Sequence, residues 1–235
     1  MAEEIRLNKF LSEAGVCSRR QADVLIENGE ITVDGEPGTL GTKVSDSSIV
    51  KYKGKIIKRK NKLVVYAYNK PVGQVCTSKE ADKDSIFNFI DFPEKVNYVG
   101  RLDKDSSGLL LLTNDGDLSN HIQKAKNNHE KEYHVRVNRD IENEFITKMS
   151  EGVPILDTVT KKCKVEKTGT RTFKIILTQG LNRQIRRMCD YFGYRVVHLK
   201  RVRVMNINLG NLRPGTFRQI SVEEEKKLRS LVKGD

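Results

Sequence analysis

Two carboxylates, Asp103 and Asp105, stand two residues apart in a polar loop, Gly100-Arg101-Leu102-Asp103-Lys104-Asp105-Ser106-Ser107-Gly108. The loop runs into Leu109 to Thr113, a continuous apolar run of the kind expected for a strand buried on both faces. Catalytic loops are commonly held at the edge of such a buried sheet. A carboxylate there can serve as a nucleophile or as a general base. The residue types alone leave a plainer reading open, because aspartate also favours turns and caps. Asp115-Gly116-Asp117 fits that plainer reading best, as a turn and N-cap for a helix from Leu118 to Lys126. A second chemical element is the segment Asn182 to Phe192. At about 100° per residue, Ile185, Met188, Cys189 and Phe192 form one apolar face, with Arg183, Arg187 and Asp190 opposite. Arg186 falls on the flank, where an arginine can bury its stem and turn its guanidinium into an adjacent site.

Other chemistries have no anchor. The chain contains no Walker loop, no G-x-G-x-x-G, no G-x-S-x-G and no H-E-x-x-H. Cys17, Cys76, Cys163 and Cys189 form no C-x-x-C. With His121, His129, His134 and His198 they make no zinc spacing. They read as scattered reduced thiols, and no metal or cofactor is expected. Any catalysis must use carboxylate, arginine, tyrosine and lysine.

The charge identifies a class of partner. The 235 residues carry a formal net charge of +12, with a pI near 9.5. Residues 1–60 account for only +2 of it. Between Leu181 and Arg218 there are nine basic residues and a single acid, Asp190. Such a concentrated basic segment is the footprint of a polyanion binder, although charge alone does not separate RNA from DNA or an acidic membrane surface. No apolar run approaches the roughly 18 residues of a membrane span. The start, Met1-Ala2-Glu3-Glu4, leads into no apolar signal region, so a cytoplasmic protein is expected.

The elements that must position these groups fall into two parts. Over residues 5–58, Leu7, Phe10, Leu11 and Ala14 recur with helical spacing up to Gly15. Ser18-Arg19-Arg20-Gln21 then forms a capping box, with Ala22, Leu25 and Ile26 as the buried stripe and Gly29 at C′. Short strands are predicted at Ile31 to Val33 and Ile49 to Tyr52, with turns at Asp34-Gly35 and Lys53-Gly54. Arg19 and Arg20 occupy a first helical turn, where the macrodipole disfavours cations. That suits a phosphate seat, and a solvated basic turn is the alternative. Lys58 to Lys62 reads as a short basic linker. Beyond it, strands are predicted at Leu63 to Tyr68, ended by Pro71, and at Lys131 to Val137, with Tyr133, Val135 and Val137 on one face. A hairpin is predicted from Lys161 to Lys167 and Arg171 to Thr178. Helical turns are predicted over Ser85 to Ile90 and Ile141 to Met149, and a capped final helix begins at Ser221.

Residues Arg6 to Gly29, R-L-N-K-F-L-S-E-A-G-V-C-S-R-R-Q-A-D-V-L-I-E-N-G, followed by I-T-V-D-G, resemble the α-L RNA-binding module. The resemblance implies RNA contacts through Arg6, Lys9, Arg19 and Arg20. Further blocks are N-K-P-V-G at Asn69 to Gly73, G-R-L-D-K-D-S-S-G-L-L-L-L-T-N-D-G at Gly100 to Gly116, K-E-Y at Lys131 to Tyr133, and Q-G-L-N-R-Q-I-R-R-M at Gln179 to Met188. In this order they resemble the motifs of bacterial rRNA pseudouridine synthases. H-E-K-E-Y, Gly152 to Val165 and Arg203 to Leu209 are similar to the F subgroup acting on large-subunit rRNA.

The resemblance implies an α+β fold: a small N-terminal αβ module over 4–60, then a synthase domain over 61–233 with a mixed, largely antiparallel sheet. It implies isomerisation of one uridine in large-subunit (23S) rRNA, with a tRNA left open as a second substrate and a monomer expected. By resemblance Asp103 is the catalytic carboxylate, Arg186 pairs with it, and Tyr133 stacks on the uracil. Ile185 walls the pocket, Arg101 fills the space the flipped base vacates, and Lys70 and Pro71 shape the adjoining loop. Arg183 and Arg187 face solvent or phosphate. The competing reading is a non-catalytic RNA-binding assembly factor, whose signature would be loss of Asp103 or Tyr133.

Overall fold

The computed structural model describes residues 4–58, 63–77, 82–124 and 128–233. Residues 59–62 of the expected linker, and residues 125 and 126 of the helix expected to reach Lys126, lie outside them. The chain divides into two compact units, 1–63 and 64–235.

In the first unit, strand β1 (Ile5–Arg6) leads into helix α1 (Leu7–Glu13), which buries Leu7, Phe10 and Leu11. Helix α2 (Arg19–Glu27) begins in the expected capping box. The Ser18 hydroxyl accepts from the Gln21 amide, and the Gln21 side chain accepts from the Ser18 amide at 3.0 Å. Strands β2 (Ile31–Val33), β3 (Glu36–Pro37), β4 (Lys43–Val44), β5 (Val50–Tyr52) and β6 (Lys55–Ile56) follow. Four of them form the sheet β3-β2-β5-β6, while β4 pairs with β1. The positive φ angles of Asp34, Gly35, Lys53 and Gly54 match the two tight turns read from the sequence.

The second unit is built on one mixed, mostly antiparallel sheet. Its elements in chain order begin with β7 (Val65–Lys70), a 3-10 turn (Ile86–Asn88), β8 (Asn97–Val99), β9 (Ser107–Thr113) and α3 (Gly116–Gln123). Next come β10 (Lys131–Val137), α4 (Asn143–Glu151), β11 (Pro154–Ile155), β12 (Thr158–Val159), β13 (Lys164–Gly169) and β14 (Thr172–Leu177). The last are α5 (Gln184–Tyr191), β15 (Val196–Val204), β16 (Ile207–Asn208), β17 (Phe217–Gln219) and α6 (Val222–Lys233). The strand order is β13-β14-β10-β15-β9-β7-β17, with β16 on β15 and β8 on β9.

Strand β9 is buried on both faces, as its apolar run predicts. Leu109 and Leu111 pack into a core with α3 and α6 residues, and Leu110 and Leu112 into the core on the other side. The expected β13/β14 hairpin forms, and α4 and α5 cover its sheet face through Phe145, Met149, Ile185 and Met188. The long strand β15 is absent from the sequence-based expectations, yet it joins β10 to β9 at the centre of the sheet. It pairs parallel with β9, setting Arg201 against Gly108. Gly108 has φ +104°, and a Cβ there would lie 2.2 Å from the Arg201 carbonyl oxygen, so only glycine permits this approach.

Candidate active site

One row of Cα partners crosses four neighbouring strands. Tyr133 of β10 faces Arg201 of β15, Arg201 faces Gly108 of β9, and Gly108 faces Lys70 of β7. Residues far apart in sequence therefore share one line across the sheet, at the end of β9 where the Gly100–Ser106 loop enters. Backbone contacts fix the loop. The Ser106 amide donates to the Asp103 carbonyl at 3.1 Å, and the Gly73 amide donates to the Lys104 carbonyl at 2.8 Å, tying the turn after Pro71 to it. Leu102 is buried, and its amide points at the Cys76 sulfur at 3.5 Å.

Lys70 is fully buried, and its ammonium donates to the carbonyls of Pro71 (2.9 Å) and Gln74 (2.8 Å). Burial pushes its pKa down, and the charges of Asp103 and Asp105 partly oppose that shift. Pro71 is half-buried at the turn itself. Arg101 is exposed. Tyr133 is half-buried and packs against two cores, the one that α4 and α5 cover and the one that holds Leu110 and Leu112.

Helix α5 delivers the arginines. Arg183 is its N-cap in the left-handed region (φ 49°, ψ 34°), which aims its side chain back at the loop. Its guanidinium grips Asp105 through both nitrogens, at 3.2 and 3.0 Å, and stands 3.8 Å from Asp103. Arg186 is buried, as its place on the helix flank suggested, and every arm is directed at the loop or at β15. One terminal nitrogen donates to the Val196 carbonyl at 3.3 Å. The other donates to the Asp105 carbonyl at 2.9 Å and the Ser106 hydroxyl at 3.3 Å, and Nε faces the Asp105 carboxylate at 3.3 Å.

The expected direct pairing of Arg186 with Asp103 is therefore not what the geometry gives. Asp105, read from sequence most simply as a turn residue, takes both arginines. Burial raises its pKa, but the hydrogen bonds from Arg183 and the charges of Arg186 and Arg183 outweigh that, so the carboxyl is held below its ordinary value. Among the described residues the Asp103 carboxylate receives no hydrogen bond; its ion-pair contact is the one to Arg183. It remains half-buried at the loop surface. Ile185 is buried in the core beneath the helix, and Arg187 is exposed, bonded to the Asn182 carbonyl and side chain at 3.1 and 3.2 Å.

Two cations were not singled out by sequence. Arg201 is buried, its Nε donates to the Leu109 carbonyl at 2.7 Å, and one terminal nitrogen finds no hydrogen-bond partner among the described residues. Lys131, on the Tyr133 strand, has its pKa pushed down to about 8 by burial and by Arg201. The alternation of R-V-R-V with apolar residues was the available signal for a strand there. Among the described residues no group of three His, Cys, Asp or Glu side chains could hold a metal ion.

In the first unit Arg6, Arg19 and Arg20 are exposed. Lys9 lies 3.7 Å from Glu13, and Arg19 reaches Asn8 Oδ1 at 3.5 Å. Arg20 borders an open groove of about 510 Å3 floored by Val16, Leu25 and Tyr52.

Comparison with known proteins agrees with both units. Residues 64–191 match the RNA pseudouridylate synthase family, and residues 5–50 match the S4 domain. The chain is 49% identical over 230 residues to the dual-specificity RNA pseudouridine synthase RluF of Escherichia coli, covering 97% of this chain and 79% of that one. It is 33% identical to the ribosomal large subunit pseudouridine synthase B of Bacillus subtilis, covering 97% of this chain and 96% of that protein. A crystal structure of a pseudouridylate synthase superposes with a TM-score of 0.71 at 28% identity, covering 95% of this chain and 99% of that chain. By sequence and by fold, this chain belongs to the RNA pseudouridylate synthase family and carries an S4 domain ahead of its synthase domain.

Proposed function

We propose that the protein isomerises one uridine to pseudouridine in large-subunit (23S) rRNA, with a tRNA as the candidate second substrate, the printed specificity of its RluF relatives being dual. The observation that carries the site assignment is Asp103: a half-buried carboxylate 3.8 Å from Arg183, receiving no hydrogen bond among the described residues, in the loop that enters a buried sheet. In the reaction the bond from uracil N1 to the anomeric carbon breaks, its electron pair going to N1. The base turns, C5 bonds to the anomeric carbon, the C5 proton leaves and N1 gains one. Atoms and electrons balance within the substrate, so this reading invokes no cofactor or metal.

Asp103 acts on the sugar, as nucleophile at the anomeric carbon or as base toward the neighbouring carbon. Tyr133 stacks on the uracil and Ile185 backs the pocket wall. Arg186 holds the Asp105–Ser106 backbone so that Asp103 is presented correctly. Lys70 and Pro71 fix the adjoining turn. Flipping the base costs a few kcal/mol, and Arg101, exposed beside Asp103, fills the gap it leaves. Arg183 and Arg187 seat phosphates. The module over 4–60 adds affinity through Arg6, Lys9, Arg19 and Arg20, and residues 61–233 carry the chemistry. The protein works as a monomer in the cytoplasm; among the described residues no helix is long and apolar enough to cross a membrane.

The test is carbodiimide-dependent primer extension on large-subunit rRNA and tRNA after incubation with the protein. Wild type is expected to create a new stop that disappears with Asp103→Asn, a loss of at least about 10^3-fold. Wild type giving no stop on any of these RNAs would sink the enzymatic reading and leave the non-catalytic RNA-binding factor.

A further inference from the structure

The part of the large sheet formed by β13, β14, β10 and β15 has two unlike faces. One is covered by α4 and α5 and holds Val135, Val137, Phe173 and Ile175. The alternate residues point the other way, and the strand register sets them in rows. Lys200 of β15 lies beside His134 of β10, then come Lys174 of β14 and Glu166 of β13. In the row on one side, His198 lies beside Arg136 and then Thr172. In the row on the other, Arg203 lies beside Glu132, followed by Ile176 and Lys164. His134, Arg136, Lys164, His198 and Lys200 are exposed, so this face is open to solvent.

Parts of the face are neutralised within the fold. Arg203 is bound to Glu130 at 2.9 Å and to Glu132 at 3.1 Å, Lys174 to Glu166 at 2.7 Å, and His134 approaches Glu132 at 3.8 Å. The remaining cations are not. The cross-strand partners of Lys200 are His134 and Ser107, those of Arg136 are His198 and Thr172, and none is acidic. Among the described residues Arg136, Lys164 and Lys200 form no ion pair. Opposite charges across neighbouring strands stabilise a sheet and like charges destabilise it, so folding alone gives no reason to gather cations here. The strands space these positions about 7 to 10 Å apart on a flat surface. That layout suits a polyanion lying across the strands rather than a small anion held in a pocket. We propose that this face, through Arg136, Lys164, His198 and Lys200, is a further RNA-binding surface that grips phosphates away from the reacting nucleotide. It rests on RNA as the partner of this chain, not on the chemistry assigned to Asp103. Tyr133 and Arg201 alternate with His134 and Lys200 and belong to the opposite face, so an RNA engaging both must reach round the sheet. Contacts of this kind position a large RNA and read no sequence.

The experiment uses the full-length chain, with an in vitro transcript of 23S rRNA as the probe. Arg136→Gln/Lys200→Gln is expected to weaken filter binding about fivefold and to flatten the log–log salt slope by about 1.4, two phosphate contacts at about 0.7 each. Lys226→Gln/Lys227→Gln, on the exposed surface of α6, removes the same charge and is expected to leave the slope as in wild type. Melting curves of both variants should match wild type, which separates lost contacts from lost fold. In parallel, lysine acylation read by mass spectrometry should show Lys164 and Lys200 losing most of their reactivity when the RNA is bound. An unchanged slope in Arg136→Gln/Lys200→Gln, an equal flattening in the α6 variant, or unaltered acylation of Lys200 overturns the inference. Equal protection by polyglutamate or by phosphatidylglycerol vesicles overturns the assignment to RNA. Binding and acylation need no turnover. A wild type without isomerase activity but with these changes would therefore defeat the proposed function and leave this inference standing.

Discussion

Two helices of this protein begin with arginines, and they use them in opposite ways. Helix α2 starts Arg19-Arg20 behind a complete capping box; both side chains are exposed, and Arg19 reaches Asn8 at 3.5 Å. Helix α5 starts behind Arg183, its left-handed N-cap, and its Arg186 is buried with every arm directed at the loop or at β15. Positive charge at a helix N-terminus is unfavourable in both places. In α2, among the described residues, no carboxylate forms an ion pair with Arg19 or Arg20, so the guanidinium groups are open to phosphates of any sequence. In α5 the compensation is internal, through Asp105 and backbone carbonyls, so these arginines define a geometry. The same residue type is thus left open to solvent in one helix and committed to holding a loop in the other.

That contrast can be broken or sharpened by measurement. Arg186→Gln removes the buried anchor of the loop and should lower the single-turnover rate on the order of 100-fold, with RNA affinity within about threefold of wild type. A comparable loss in affinity would mean that the buried arginine is a binding residue after all. Gly108→Ala forces a Cβ into the Arg201 carbonyl. Denaturant unfolding should show a loss of roughly 3 kcal/mol in the second unit, with the α2 unit unaffected.

Lys131 supplies a test by pH. Its folded pKa, near 8, lies below the ordinary lysine value, so the unfolded chain binds the proton more tightly. The penalty is fully present below pH 8 and is relieved as pH rises from there toward the unfolded value of 10.5. Lys131→Met should therefore be more stable than wild type by about 2 kcal/mol at pH 7, and urea titrations near pH 9.5 should show that advantage shrinking. The smallest effect belongs to α2. Arg19→Gln/Arg20→Gln should weaken RNA binding about tenfold and flatten the log–log salt slope by about 1.4, with the saturated rate unchanged. An unchanged slope would show that these side chains do not meet phosphates.

The features legible in the sequence are those fixed by near neighbours. The Ser18–Gln21 box, the turn glycines, the two-sided burial of Leu109 to Leu112 and the β13/β14 hairpin depend on residues a few positions apart. The predictions matched the structure to within a few residues. Strand β15 was hidden because basic residues interrupt its apolar positions and its pairing with β10 shifts register twice, between Glu132 and Tyr133 and between Arg136 and Val137. Helical phase placed Arg186 correctly on the buried flank but could not choose between two carboxylates two residues apart in the facing loop. That choice depends on how the loop turns over Asp103 and Ser106.

The sequence by itself therefore determined the family and the local elements and named the candidate reacting residues, because motif order, capping and periodicity are properties of the chain. Only the tertiary structure decided that Lys70, Gly108, Tyr133 and Arg201 lie in one row, and that Asp105 rather than Asp103 holds the arginines. Those facts depend on strand order and on ångström distances between segments dozens of residues apart, which no local pattern encodes.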